Sequence, residues 1–254
     1  MRAVRAANGA VRELRESARR NQREKPRRNQ ALRVKIISMG NAGVGKSCLI
    51  KRYCEEKFVP KYISTIGVDY GVKGLKMGEW VVRVNMWDLA GGPEFLDVRN
   101  EFYKEAQGVL LVYDVGDRRS FEALEGWLDE SARFGARNAV VVVAGNKVDQ
   151  SSRRQVSEAE GREWARGNGF LFFETSALSG ERVRPLFSCL FSRVLSAVPG
   201  SDPELCMHAQ QNAQEDLRAE GLSTDEAGRP RSSHRQPRLS HGEGGRRESA
   251  RRMQ

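Results

Sequence analysis

The eight residues Gly40-Asn41-Ala42-Gly43-Val44-Gly45-Lys46-Ser47 constrain this chain more than any other stretch. They fit the pattern Gly-x-x-x-x-Gly-Lys-Ser/Thr, preceded by the apolar run Leu32 to Met39 and followed by a helix-like segment. In that setting the glycines let the backbone curl so that successive N–H groups converge on phosphate oxygens, and the helix N-terminus adds partial positive charge. Lys46 is suited to neutralising β- and γ-phosphates, and the Ser47 hydroxyl to a Mg²⁺ ion, with Cys48 next in the opening turn. The motif therefore fixes a strand, a loop and a helix in order, and a polyphosphate as the ligand class.

The rest of the middle region continues that alternation. Residues 32–39, 67–77, 80–87, 109–114, 139–145 and 170–173 read as strands, the fourth and fifth as Val- and Leu-rich runs buried on both faces. Residues 46–57, about 95–105, 119–133, 157–167 and 181–197 read as helices. In the last, Val183, Leu186, Phe187, Leu190, Phe191 and Val194 form one apolar stripe, and Pro185 sits in the tolerant first turn. Six strands alternating with helices predict an α/β domain, a mostly parallel sheet covered on both faces.

Charge separates this domain from its flanks. The chain has 254 residues and a net charge of +10, of which residues 1–31 carry ten basic and three acidic side chains. Residues 32–198 carry 24 basic and 21 acidic groups, and residues 199–254 nine of each. The expected organisation is a basic disordered arm over 1–30, a domain over 31–198 and a disordered tail over 199–254, acidic to about residue 228 and basic beyond. No apolar run nears the length of about 18 residues that a membrane helix needs. No apolar core follows the basic N-terminus, so no signal peptide is expected. Four cysteines without paired spacing suit a reducing, intracellular compartment, cytoplasmic or nuclear. His208, His234 and His241 all lie beyond residue 198, so chemistry in the middle falls to carboxylates, lysine, hydroxyls, backbone amides and bound ions.

The base is chosen further along. Asn146-Lys147-Val148-Asp149 follows the strand at 139–145, and a carboxylate at Asp149 accepts from both N1–H and the 2-amino group of guanine. Adenine offers an acceptor at N1 and no amine, so it leaves that carboxylate unpaired, and buried polar pairs of this sort discriminate by roughly 10⁴. Glu174-Thr175-Ser176-Ala177-Leu178, after the last strand, completes the base pocket.

Together these segments resemble a Rab-like small GTPase of the Ras superfamily over residues 32–198. Tyr62 to Tyr70 is similar to the first Rab switch, and Trp87-Asp88-Leu89-Ala90-Gly91 to the start of the second. The wording of Ile36 to Asn41, Tyr70 to Val72 and Val98 to Lys104 is nearest to the branch that joins such a GTPase to a J domain. The resemblance implies a Ras-like P-loop fold, GTP or GDP with Mg²⁺ as cofactors, and a monomer that meets protein effectors, with exchange and activating factors as further partners. By the same resemblance Ser47, Thr65 and Asp88 would hold the metal. Lys46, Thr65 and the Gly91 amide would meet the γ-phosphate, Phe58 and Tyr62 would flank the nucleotide, and Asn146, Lys147, Asp149, Ser176, Ala177 and Leu178 would frame the base. An aromatic at Phe58 serves equally well as a helix-end core residue.

Four departures qualify the implied activity. The family's water-orienting glutamine is replaced by Gly92, followed by Pro93, with Glu94 two residues on. Ala42 stands where fast members often carry glycine, and its methyl crowds the space an arginine finger enters. Very slow hydrolysis is therefore expected, or a GTP-loaded interaction module that scarcely hydrolyses. The last cysteine, Cys206, is 48 residues from the end, so no prenyl anchor is expected. None of the three histidines is followed by proline, so the J-domain signature His-Pro-Asp is expected to be missing. A polyanion-binding role for the Arg-rich ends is the third reading; without interleaved aromatics, nucleic acid is not the expected partner.

Overall fold

A computed structural model describes residues 32–60 and 64–222. The expected arm at 1–30 and the end of the expected tail lie outside the described residues.

Six strands form one sheet: β1 (Leu32–Met39), β2 (Val68–Met77), β3 (Trp80–Leu89), β4 (Gly108–Asp114), β5 (Val140–Asn146) and β6 (Leu171–Thr175). Their order across the sheet is β2-β3-β1-β4-β5-β6. All neighbours run parallel except β2 and β3, a hairpin closed at Gly78, whose φ of +60° suits glycine. The helices are α1 (Lys46–Glu55), α2 (Leu96–Tyr103), α3 (Arg118–Glu122), α4 (Leu124–Arg133), α5 (Glu158–Gly167), α6 (Val183–Ala197) and α7 (Pro203–Ala219). The single helix expected over 119–133 is thus two, meeting at Ala123, and that over 95–105 opens with a 3-10 turn, Pro93–Phe95.

Alternation along the central strands sorts their side chains into two cores. Val34, Ile36, Leu110, Val112, Val142, Ala144 and Phe173 face α1, α6 and α7. Ile37, Met39, Val109, Leu111, Tyr113, Val143 and Phe172 face the other way, towards Phe121, Leu124, Trp127 and Ala165 of α3, α4 and α5. Every residue of β4 is buried, as a strand covered on both faces requires.

The folded region extends past the expected boundary at 198. Asp202 caps α7 by accepting from the Glu204 amide at 2.8 Å, with Pro203 in the first turn. Leu205, Ala209, Ala213 and Leu217 recur every four residues and are buried against the rest of the first core. Asp216 accepts from Ser188 of α6, and Arg184 lies 3.4 Å from it. The expectation of a tail from 199 is corrected accordingly: two alanines among Gln and Glu make a faint stripe, and averaging the composition of 199–254 hid it. Leu205→Ala is expected to cost about 2–4 kcal/mol in chemical denaturation, as for a core leucine; below about 0.5 kcal/mol, α7 would be peripheral to stability.

Candidate functional site

The loops that leave the C-terminal ends of β1, β3, β5 and β6 surround one cleft of about 250 Å³. Open α/β sheets place ligands at this edge, because the loops converge there while the strands hold them apart. Ala42, Gly43, Gly45, Lys46, Ser47 and Cys48 form one wall. Thr65 and Gly91 close one end; Asn146, Lys147, Asp149, Ala177 and Leu178 close the other. Phe58 lines the cleft and also packs against the first core. Gly40, Asn41, Val44, Asp88 and Ser176 stand behind the wall, and Tyr62 lies outside the described residues.

The phosphate loop depends on two glycines. Gly40 has φ +133°, and a Cβ there would overlap the Val112 carbonyl oxygen of β4. Gly45 has φ +100°, and a Cβ would run into the Asn146 amide. Lys46, first residue of α1, folds back to donate to the carbonyls of Gly40 at 2.8 Å and Asn41 at 3.1 Å. Burial pushes its pKa down to about 8, the Asp88 carboxylate nearby works the other way, and Arg99 adds to the lowering. A buried ammonium held by two carbonyls is short of anionic partners, which a polyphosphate would supply.

Beside it three oxygens converge. Ser47 Oγ lies 3.0 Å from Thr65 Oγ1, and both hydroxyls donate to the Asp88 carboxylate, Thr65 at 3.2 Å. Ser38, at the end of β1, donates to the other Asp88 oxygen at 2.7 Å and so fixes its rotamer. Two hydroxyls and one carboxylate make a hard, sparse donor set, which fits Mg²⁺ shared with phosphate better than Zn²⁺ or an all-protein Ca²⁺ cage. Among the described residues no group of three or more His, Cys, Asp or Glu is arranged to hold a metal.

At the far end Asn146 is a bracket. Its amide nitrogen donates to the Val44 carbonyl at 2.9 Å, while its oxygen accepts from the Ala177 amide at 3.2 Å and Thr175 Oγ1 at 3.3 Å. Lys147 takes φ +70° and lies 2.7 Å from Asp114. Ser176 donates to Asp149, orienting a carboxylate that otherwise faces the cleft. Arg52 of α1 donates to the Ala177 carbonyl at 2.9 Å and to that of Leu178, tying the helix of the phosphate loop to the base loop.

Sequence reasoning missed Ser38, Arg52 and Asp114, which act across 50, 125 and 33 positions of chain. A polar residue in the buried C-terminal part of a strand, as Ser38 is in β1 and Asp114 in β4, is the one signal that would have marked two of them. It also missed an apolar patch between the two switch segments. Ile66 is 83% exposed there, and the rings of Tyr70, Trp87 and Phe102 pack in tilted contact with centroids 4.5 and 5.0 Å apart.

Residues 35–196 match a model of the Ras family. Among curated proteins the chain is similar to DnaJ homolog subfamily C member 27 of Danio rerio, 52% identical over 179 residues, covering 68% of this chain and 66% of that one. The protein of the same name from Gallus gallus is 52% identical over 178 residues, 67% of this chain and 65% of the relative. The Homo sapiens protein is 50% identical over 178 residues, 68% and 64%. The chain thus spans just under two thirds of the length of these relatives. The six-stranded sheet with one antiparallel edge, the phosphate loop and the match over most of the domain lead to one assignment: the chain belongs to the Ras family of nucleotide-binding small GTPases.

Proposed function

We propose that this protein is a guanine-nucleotide switch that holds GTP or GDP with Mg²⁺, hydrolyses GTP very slowly and acts through protein partners that grip its switch surface. The observation that carries this is one continuous cleft lined by Lys46, Ser47 and Thr65 at one end and by Asn146, Lys147, Asp149 and Ala177 at the other. Lys46 and the amides of residues 43–48 would bind the phosphates; Ser47, Thr65 and Asp88 would hold the ion; Asp149 would accept from the guanine edge. Mg²⁺ when bound would supply neutralisation of phosphate charge. The exposed Ile66 and the Tyr70, Trp87 and Phe102 cluster border the γ-phosphate end, so a partner seated on them would sense both switches.

Slow hydrolysis follows from what surrounds Gly92. The face where a side chain would begin is covered by the Glu94 carboxyl group, whose carbon lies 2.5 Å from the position of a Cβ. A carboxylate accepts a hydrogen bond from water, but its charge opposes a γ-phosphate that already carries negative charge, and Gly92 offers nothing to orient the attack. The purified protein is expected to release guanine nucleotide on denaturation. In a single turnover its bound GTP should decay more slowly than the unaided Ras-type half-life of about half an hour. Bound adenine nucleotide, or a GTP half-life under about ten minutes, would overturn the proposal. A module that scarcely hydrolyses differs only in that last step, and recovery of intact GTP from the purified protein would favour it.

A further inference from the structure

One buried guanidinium outside the cleft joins the second switch to the body of the domain. Arg99 of α2 is 4% exposed. Its Nε and Nη2 donate to the two Glu130 oxygens at 2.6 and 2.7 Å, and its plane lies 4.6 Å over the Trp127 ring. Tyr103 donates to the same carboxylate, and Trp127 Nε1 donates to Asn41 Oδ1 in the phosphate loop at 2.8 Å. Burial opposes the charge on each partner, yet their hydrogen bonds outweigh it, holding Arg99 above and Glu130 below their ordinary pKa values. The pair is ionised and fixed from three sides by α2, α4 and the phosphate loop.

The remaining nitrogen reaches the switch backbone. Arg99 Nη1 donates to the Gly92 carbonyl and lies 3.4 Å from that of Ala90. On its other side, the Ala90 amide donates to the Gly67 carbonyl at 2.9 Å. A trans peptide is planar with its carbonyl and N–H on opposite edges. Holding the Ala90 carbonyl towards Arg99 therefore turns the Gly91 N–H the other way. Gly91 itself presses on the phosphate loop, where a Cβ would meet the backbone of Gly40, Asn41 and Ala42.

We propose that Arg99 is a positioning residue for recognition of the terminal phosphate, holding the Ala90 carbonyl of the Ala90–Gly91 peptide and the Gly92 carbonyl one residue on, so that the Gly91 N–H is aimed before the nucleotide arrives. Resting on the switch function proposed above, this makes the GTP-over-GDP preference depend on a residue that touches neither nucleotide. An amide oriented in advance costs no reorganisation when the phosphate binds.

The test compares GDP with the slowly hydrolysed analogue GTPγS, each displacing a fluorescent GDP from the full-length protein in Mg²⁺. Arg99→Ala is expected to weaken GTPγS binding by at least about tenfold, the size of one charge-assisted hydrogen bond, while GDP stays within about twofold. Arg99→Lys keeps a charge against Glu130, but one ammonium cannot span the carboxylate and both carbonyls. It should therefore show the same selective loss, and it carries the test if the alanine variant does not fold. An equal loss for both nucleotides, or an unchanged ratio, would overturn the proposal. A wild-type protein that binds neither nucleotide would instead overturn the switch function itself.

Discussion

Asp149→Asn is expected to weaken GDP binding by roughly a thousandfold while leaving the fold intact. The carboxylate faces the cleft and receives the Ser176 hydroxyl, so its orientation is set before a base arrives. Two charge-assisted hydrogen bonds from guanine, each contributing about 1.5–3 kcal/mol, fall on one group. Asparagine keeps the bond from Ser176 through its own oxygen but aims an N–H₂ at the guanine donors, turning attraction into a donor–donor clash. Displacement of a fluorescent GDP measures the loss, and thermal unfolding checks that the variant is folded. Inosine diphosphate, which lacks the 2-amino group, should bind the native protein more weakly than GDP and lose that disadvantage in the variant. An affinity within tenfold of the native value would remove Asp149 from the base site.

The second large effect concerns stability. Gly40→Ala should cost more than about 4 kcal/mol, against a total of roughly 5–15 kcal/mol for a domain of this kind. Its φ of +133° is unfavourable for any side chain, and the added methyl would overlap the Val112 carbonyl oxygen. That oxygen is backbone of β4, locked between β1 and β5, so no flexible chain end can move aside. Gly43→Ala is the matched control: its φ is +79°, but nothing lies within 4 Å of the new methyl, so only about 1–2 kcal/mol of backbone strain is expected. Urea denaturation of the two variants separates strain from overlap. Equal midpoints would show that the contact with β4 relaxes.

How legible the fold was depends on how each segment is stabilised. The buried strands β4 and β5 fell within a residue of the expected 109–114 and 139–145, because a strand covered on both faces must be apolar throughout. The helix at 119–133 was seen but not its break at Ala123; nothing in the side chains there signals it. α7 went unseen because half of its buried stripe is alanine, and alanine also suits exposed helix. The cleft was legible for a related reason. Its motifs sit at the ends of parallel strands, and parallel strands bring their C-terminal ends to one edge whatever the length of the loops between. Residues that act through a partner far along the chain were not legible. Arg99 with Glu130 and Arg52 with Ala177 are separated by 31 and 125 positions, and only the folded topology makes them neighbours.

α7 also decides at which pole the described chain ends. α6 starts just after the base loop and carries the chain away from the cleft, towards the end of the sheet where β1 begins and where His208 of α7 lies against Gly78. The 17 residues of α7 then run back antiparallel, a return of roughly 25 Å, until Glu220 accepts from the Arg182 amide beside the start of α6. Leu222 consequently lies at the pole that carries the cleft, whereas Leu32 lies at the opposite pole. With this return, Leu222 comes to lie beside Arg182 and Glu174, at the pole of the cleft.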